Sequence, residues 1–138
     1  MKNLRYVLFS LTVLLMATAA QAQQTAVKAD VPFDFFVGNQ AYHAGEYTVN
    51  STTNRELLRI DNTQGRATDM ILSNTCTGSQ PPATSRLVFH RLGGSYFLYQ
   101  VSTEGSSCRQ LSTSRTEVQL AKTLEKSEPV IVAAKITR

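Results

Sequence analysis

"VPFDFFVGNQAYHAGEYTV", residues 31–49, is the stretch on which the reading of the fold turns. Val31, Phe33, Phe35 and Val37 alternate with Pro32, Asp34 and Phe36. A period of two sends successive side chains to opposite faces, so one face is packed and the other wetter, as in an antiparallel strand. Pro32 donates no ladder hydrogen bond, which places it at an edge or a strand start. Gly38-Asn39 is a two-residue hairpin signal, and Ala44-Gly45 marks a second turn. From Glu46 to Val49 a strand resumes, with Tyr47 and Val49 on one face. The polar groups within this stretch, Asp34, His43 and Glu46, are scattered along it without a recognisable catalytic spacing.

Upstream, "MKNLRYVLFSLTVLLMATAAQAQQ" combines Lys2 and Arg5, an apolar run over residues 6–20 and Ala20-Gln21-Ala22. That is the form of a secretory signal cut after Ala22. The run is shorter than the ~20 residues a spanning helix needs, and no basic stop-transfer flank follows. The organisation expected is a signal peptide over 1–22 and a single β-rich domain over 23–138, periplasmic or secreted, with no stable membrane anchor after cleavage. Loss of Lys2 and Arg5 lowers the basic residues from 14 to 12 against 10 acidic ones, a net +2. These charges are dispersed, so a nucleic-acid interface is not expected.

Residues 23–29 are small and polar and read as a loose leader. "LLRIDN" (57–62) and "ATDMILSN" (67–74) read as two strands around a polar turn containing Gly65, and 74–85 as a loop stiffened by Pro81-Pro82. "RLVFHRLGGSYFLYQVS" (86–102) is the clearest hairpin. A turn at Gly93-Gly94 sets Arg91 opposite Tyr96, His90 opposite Phe97, Phe89 opposite Leu98 and Val88 opposite Tyr99. One face then carries Val88, His90, Phe97, Tyr99 and Val101, the other Leu87, Phe89, Tyr96 and Leu98. Both are largely apolar, which implies a central hairpin covered on both sides. Residues 103–110 read as loop. Ser114-Arg115-Thr116-Glu117 fits a capping box, with Glu117 reaching back to the cap. Val118, Leu120, Ala121 and Leu124 form an apolar stripe at helical spacing, so a helix over 115–127 is expected to pack on the sheet. Pro129 ends it, and 130–136 reads as a last buried strand. The fold class is mainly β: a small antiparallel sandwich or partly open barrel of about seven to eight strands with one C-terminal α-helix.

Cys76 and Cys108 are the only cysteines. In an exported chain they are expected to form one disulfide. If strand 67–74 runs antiparallel to strand 86–92, the loops carrying them meet at one edge of the sheet. Two cysteines with His43 and His90 lack zinc-ligand spacing, so no metal and no cofactor is expected. His90 faces apolar neighbours and reads as a core-edge histidine; His43 reads as a surface loop residue. Asp34 and Glu46 as a glycosidase pair would need a fixed separation that nothing here imposes. The serines and threonines of 102–116 lie in neither GxSxG nor SxxK. Of the aromatics Phe33, Phe35, Phe36, Tyr42, Tyr47, Phe89, Tyr96, Phe97 and Tyr99, most sit at alternating strand positions and read as core; Phe36 and Tyr42 are the expected exceptions. Asn50-Ser51-Thr52 matches the N-glycosylation pattern, relevant only in a eukaryotic host.

The segments "VPFDFFVGNQAYHAGEYTV", "RLVFHRLGGSYFLYQV" and "LSTSRTEVQLA" resemble an uncharacterised family of small exported bacterial proteins, mainly acidobacterial. Its members share a VPFxFxVGxxxxxAGxYxV opening, an LVFHR-type hairpin and a closing LxxSxxExxLA segment. The likeness covers nearly the whole mature chain and implies a mostly β exported domain, with no activity, cofactor or catalytic residue to carry over. Many relatives have Leu-Pro where His43 stands, which weakens His43 as a functional group. The expectation is no enzyme but an exported, non-catalytic domain that binds an envelope or extracellular partner or plays a structural part there. The alternatives are a carrier of a small apolar ligand and a hydrolase using His43 or His90.

Overall fold

In the computed structural model, which describes residues 25–137 apart from 53, 55, 65–67, 78, 79, 107 and 125, ten strands and one helix follow in chain order. They are β1 (Ala26–Val31), β2 (Phe35–Val37), β3 (Gln40–Tyr42), β4 (Gly45–Ser51), β5 (Leu57–Asn62), β6 (Thr68–Thr75), β7 (Arg86–Leu92), β8 (Ser95–Ser102), β9 (Cys108–Leu111), α1 (Arg115–Leu124) and β10 (Glu128–Thr137). The expected signal segment 1–22 and the turn at Gly65 lie outside the described residues.

Eight strands close into an antiparallel barrel in the order β1-β4-β5-β6-β9-β8-β7-β10, with β10 returning to β1. Of the two architectures expected, the chain adopts the barrel, and it is closed. Closure gives every barrel strand a partner on both sides over at least part of its length. The connections are not all local. β6 pairs with β9 and not with β7, and β9 pairs in turn with the end of β8.

The two-residue rhythm does what it predicts. Ala29 and Val31 of β1, Tyr47 and Val49 of β4, Leu58 and Ile60 of β5, and Leu87 and Phe89 of β7 are buried in one core, and Val27 of β1 is buried as well. Lys28, Glu46 and Arg59 alternate with them and keep contact with solvent. Burying each such apolar side chain contributes about 1.5–3 kcal/mol.

The stretch 31–49 builds less of the barrel wall than its pattern suggests. β1 stops at Val31, and Pro32 breaks the chain away from the wall. The short β2–β3 hairpin then folds across the end where β1 stops and β4 starts. Gly38 and Gly93, each at φ 61°, open the β2–β3 and β7–β8 turns, a left-handed conformation that a Cβ disfavours. The hairpin brings Phe35 and Tyr42 into the barrel, stacked with centroids 5.3 Å apart. Tyr47 and Phe89 meet Phe35 edge-on at 5.1 and 5.3 Å. Tyr42, expected to be exposed, is 5% exposed. Phe36 is half-buried and stacks on Phe97 at 5.3 Å, where β2 runs parallel to β8.

Other expectations are corrected. Residues 26–29, read as part of a loose leader, instead belong to the central strand β1, paired with β4 on one side and β10 on the other. Residues 108–110, read as loop, belong with Leu111 to the strand β9 that completes the barrel. The 86–102 hairpin keeps the expected pairs as far as Phe89–Leu98, but a bulge between Val88 and Phe89 then shifts the register, so Val88 faces Gln100. Tyr99 is the extra residue, and Val101 joins Leu87 in the core instead of facing away from it. The helix ends at Leu124, and its apolar stripe is only partly covered: Leu120 is half-buried, and Val118 and Leu124 are 40% and 41% exposed.

Cys76 and Cys108 form the expected disulfide, with Cα atoms 5.4 Å apart. The reason differs from the expected one. Cys76 follows β6 and Cys108 opens β9, so the bond joins adjacent strands of the closing seam and not loops brought together by a β6–β7 pair.

Two measurements follow from this packing. In urea melts Phe35→Ala costs about 3–5 kcal/mol, and Phe36→Ala less than half of that; equal losses would contradict the assignment of faces. The Cys76→Ser/Cys108→Ser double variant loses about 3–4 kcal/mol of unfolding free energy; an unchanged midpoint would contradict it.

Candidate functional site

Four groups of ionisable and hydroxyl side chains bear on the candidate chemistry, and they lie apart from one another. The first pairs His90 with Glu117. His90 points out from β7, and its ring stacks on that of Tyr99, centroids 4.0 Å apart. Tyr99 is the residue that the bulge leaves without a cross-strand partner. His90 Nδ1 lies 3.0 Å from Glu117 Oε1. Ser114 caps α1 as its position in the sequence predicts, its hydroxyl oxygen accepting from the Glu117 N–H at 3.1 Å. The Glu117 carboxylate, expected to reach back to the cap, goes to His90 instead. Glu117 is the buried residue of this helix, its side chain 7% exposed. A glutamate, not the apolar stripe, is what seats α1 on the barrel. His90 therefore does have an acidic partner, 27 positions away in the chain, where neighbours at short spacing gave no sign of one. A His–carboxylate pair becomes a nucleophile-activating device only when a hydroxyl or thiol meets the other ring nitrogen. Among the described residues no such group is hydrogen-bonded to it.

The second group is on the surface. His43 Nδ1 lies 3.6 Å from Asp34 Oδ2, both side chains being largely exposed. The Ala44 N–H donates to Asp34 Oδ1 at 2.8 Å. That amide chiefly, with His43 adding to it, holds the Asp34 carboxyl below its usual range against an opposing effect of desolvation. Glu46 is paired elsewhere, with Lys28 at 2.9 Å, which lowers its pKa. Asp34 and Glu46 are therefore not a carboxylate pair.

The third joins Tyr42 to the far wall. The Tyr42 hydroxyl donates to Asp69 Oδ2 at the start of β6, tying the β2–β3 hairpin across the barrel end. Burial, then Asp69, push the Tyr42 phenol well above its ordinary range.

The fourth is Arg109 on β9, 8% exposed. Its Nε and Nη2 donate to the Ser73 hydroxyl at 3.2 and 3.1 Å, Nη2 also to the Ser73 carbonyl at 2.7 Å, and Nη1 to the Thr75 hydroxyl at 2.9 Å. Nothing in the sequence singles out Arg109: "CRQL" is too short for a period, and an arginine reads as outward-facing.

An open cleft of about 380 Å³ lies where α1 returns to β10, lined by Arg91, Gly93, Leu124, Lys126 and Glu128. Its charges are engaged: Arg91 Nε donates to the Gly93 carbonyl at 3.3 Å, and Lys126 lies 3.9 Å from Glu128. Among the described residues no three or more histidines, cysteines or acids cluster as a metal site would. Comparison with protein-family models, with curated proteins and with solved structures finds no match in any of the three.

Glu117→Ala removes the docking group of α1. Hydrogen exchange of the 118–124 amides then rises at least tenfold, with the β1 and β4 amides little changed; unchanged exchange in α1 would show that the helix is held by something else. Tyr42 gives a pH test. Its proton is bound more tightly in the folded chain than in the unfolded one, whose phenols ionise near pH ~10. Its contribution is thus complete below that pH and falls as pH rises toward the folded-state value. Wild type therefore loses more stability above pH ~10 than Tyr42→Phe does, read from urea midpoints; parallel profiles would contradict the Tyr42 assignment.

Proposed function

We propose that the chain is an exported, non-catalytic domain that binds another component of the cell envelope or extracellular space, or plays a structural part there, in the manner of the small exported bacterial β-domain proteins its motifs resemble. The observation that carries this reading is the dispersal of the reactive groups. His90–Glu117, Asp34–His43, Tyr42–Asp69 and Arg109 each hold a different part of the fold together, and no two of them share a partner. The interior is occupied by Phe35, Tyr47, Ile60, Phe89 and their neighbours, which supports packing over carriage of an apolar ligand. The Cys76–Cys108 bond is consistent with an oxidising compartment outside the cytoplasm. The polarity of the wall supports a water-facing barrel. A lipid-facing barrel carries its apolar band outside, whereas on β1, β4 and β5 Lys28, Asp30, Glu46, Arg59 and Asp61 alternate with a buried apolar interior. Among the described residues, exposed large apolar side chains are confined to Met70, Leu72 and Ile131 on β6 and β10 and Val118 and Leu124 on α1.

Expression of the full chain in a Gram-negative host, followed by intact mass measurement of the periplasmic and medium fractions, tests the export reading. The expected species begins at Gln23 and is lighter by two hydrogens than its reduced form. Retention of residues 1–22, or two free thiols, would contradict it. Turnover of a series of p-nitrophenyl esters tests the absence of catalysis: wild type and His90→Gln are expected to match the buffer rate. A wild-type rate that His90→Gln abolishes would restore the hydrolase reading.

A further inference from the structure

Arg109 is chemically different from the other three groups. A guanidinium stays protonated at any pH a protein survives, so burial cannot neutralise it. Burying a charge is costly unless an opposite charge or a full set of hydrogen bonds answers it. Arg109 is 8% exposed, and its partners, the Ser73 hydroxyl and carbonyl and the Thr75 hydroxyl, are all neutral. The ion pairs among the described residues are all made by other side chains.

The donor geometry is directional. A guanidinium carries five N–H groups. Four hydrogen bonds to Ser73 and Thr75 engage Nε, Nη2 and one hydrogen of Nη1, leaving the second Nη1–H unused by them. The Ser73 hydroxyl is fully committed, since it accepts from Arg109 and donates to the Glu56 carbonyl at 3.2 Å. Thr75 is not: its hydroxyl accepts from Nη1 at 2.9 Å and donates to no acceptor among the described residues. Thr75 is also the exposed member of the group, whereas Ser73 is buried. The two donors belong to groups hydrogen-bonded to each other, and Thr75 is the one that reaches solvent. They are also held in place. Thr75 and Arg109 are direct cross-strand partners, and the residues beside them, Cys76 and Cys108, are disulfide-bonded. Donors fixed before binding avoid much of the ordering cost of holding a ligand.

We propose that Arg109 Nη1–H and the Thr75 hydroxyl form an oxyanion-binding site at the disulfide-locked seam of the barrel, taking a carboxylate or phosphate group of a ligand or partner. The site names the chemistry of what the domain binds. It rests on the binding reading above but is separable from it: neither export nor the absence of esterase turnover depends on Arg109.

The test is an NMR titration of the oxidised mature protein (residues 23–138), following the arginine Nε–H signals. Inorganic phosphate and sodium acetate are the two probes, each added at constant ionic strength against sodium chloride. The expected result is a saturable shift of the Arg109 signal at probe concentrations where Arg86 and Arg115 have not responded. The probe that saturates first identifies phosphate or carboxylate as the preferred group. Thr75→Val, at an exposed position, is expected to weaken that binding about tenfold while leaving the fold intact. Arg109→Met is expected to abolish it, and should that variant not fold, wild type and Thr75→Val decide the matter. No saturable shift with either probe, or equal affinity in wild type and Thr75→Val, would overturn the site and leave Arg109 as a strut between β6 and β9.

Discussion

The structure depends on the closing of the sheet at one seam, where the four-residue strand β9 pairs with β6 on one side and with the end of β8 on the other. Without it β6 and β8 would each present a row of unpaired backbone groups, and the interior would open along the gap. A strand this short supplies few ladder hydrogen bonds, and the seam is reinforced accordingly. Cys76–Cys108 bonds it covalently at one end. Arg109 reaches across to Ser73 and Thr75, and Leu111, level with Ser73, adds an apolar contact to the core. The disulfide restricts the unfolded chain at the point where the folded one has least backbone pairing to offer.

Closure of the wall leaves the ends. One is filled by the chain itself: the β2–β3 hairpin carries Phe35 and Tyr42 inward, and Tyr42 reaches Asp69 on the other side. Aromatic rings suit this task because each covers a large area, and edge-to-face contacts let several pack around one centre. Helix α1 belongs to the outside. It spans the connection from β9 to β10, caps itself with Ser114, and touches the barrel through Glu117 at His90. A helix seated through a carboxylate, with Val118 and Leu124 only partly covered, is bound to the fold less tightly than one that buries a full apolar stripe.

Much of the wall was legible. Strands β4 to β8 follow alternation and turn residues closely, and the Gly93-Gly94 turn gives the correct pairs as far as Phe89–Leu98. What failed did so for identifiable physical reasons. β1 alternates as Val27, Ala29, Val31, but its outward Lys28 and Asp30 make the segment look polar in composition. β9 is too short to show a period, and its Arg109 faces inward, against the rule that charges face out. The bulge at Val88 is a one-residue slip that reverses the face of everything beyond it. The disulfide was expected correctly from its cysteines alone, whereas the strand pairing that brings them together was not. The polar contacts were the least legible part. Tyr42–Asp69 and His90–Glu117 each join residues 27 positions apart, and Arg109–Ser73 joins residues 36 apart; these are distances over which local spacing carries no information.

The most direct check on the central claim is the set of interstrand nuclear Overhauser effects made by β9 in solution. The closed barrel requires contacts from Arg109 and Gln110 to Thr75 and Asn74 on one side and to Val101 and Gln100 on the other. Both sets observed together establish the seam. Contacts to β8 alone, with β6 unpaired or paired with β7, would show an open sheet and contradict the account.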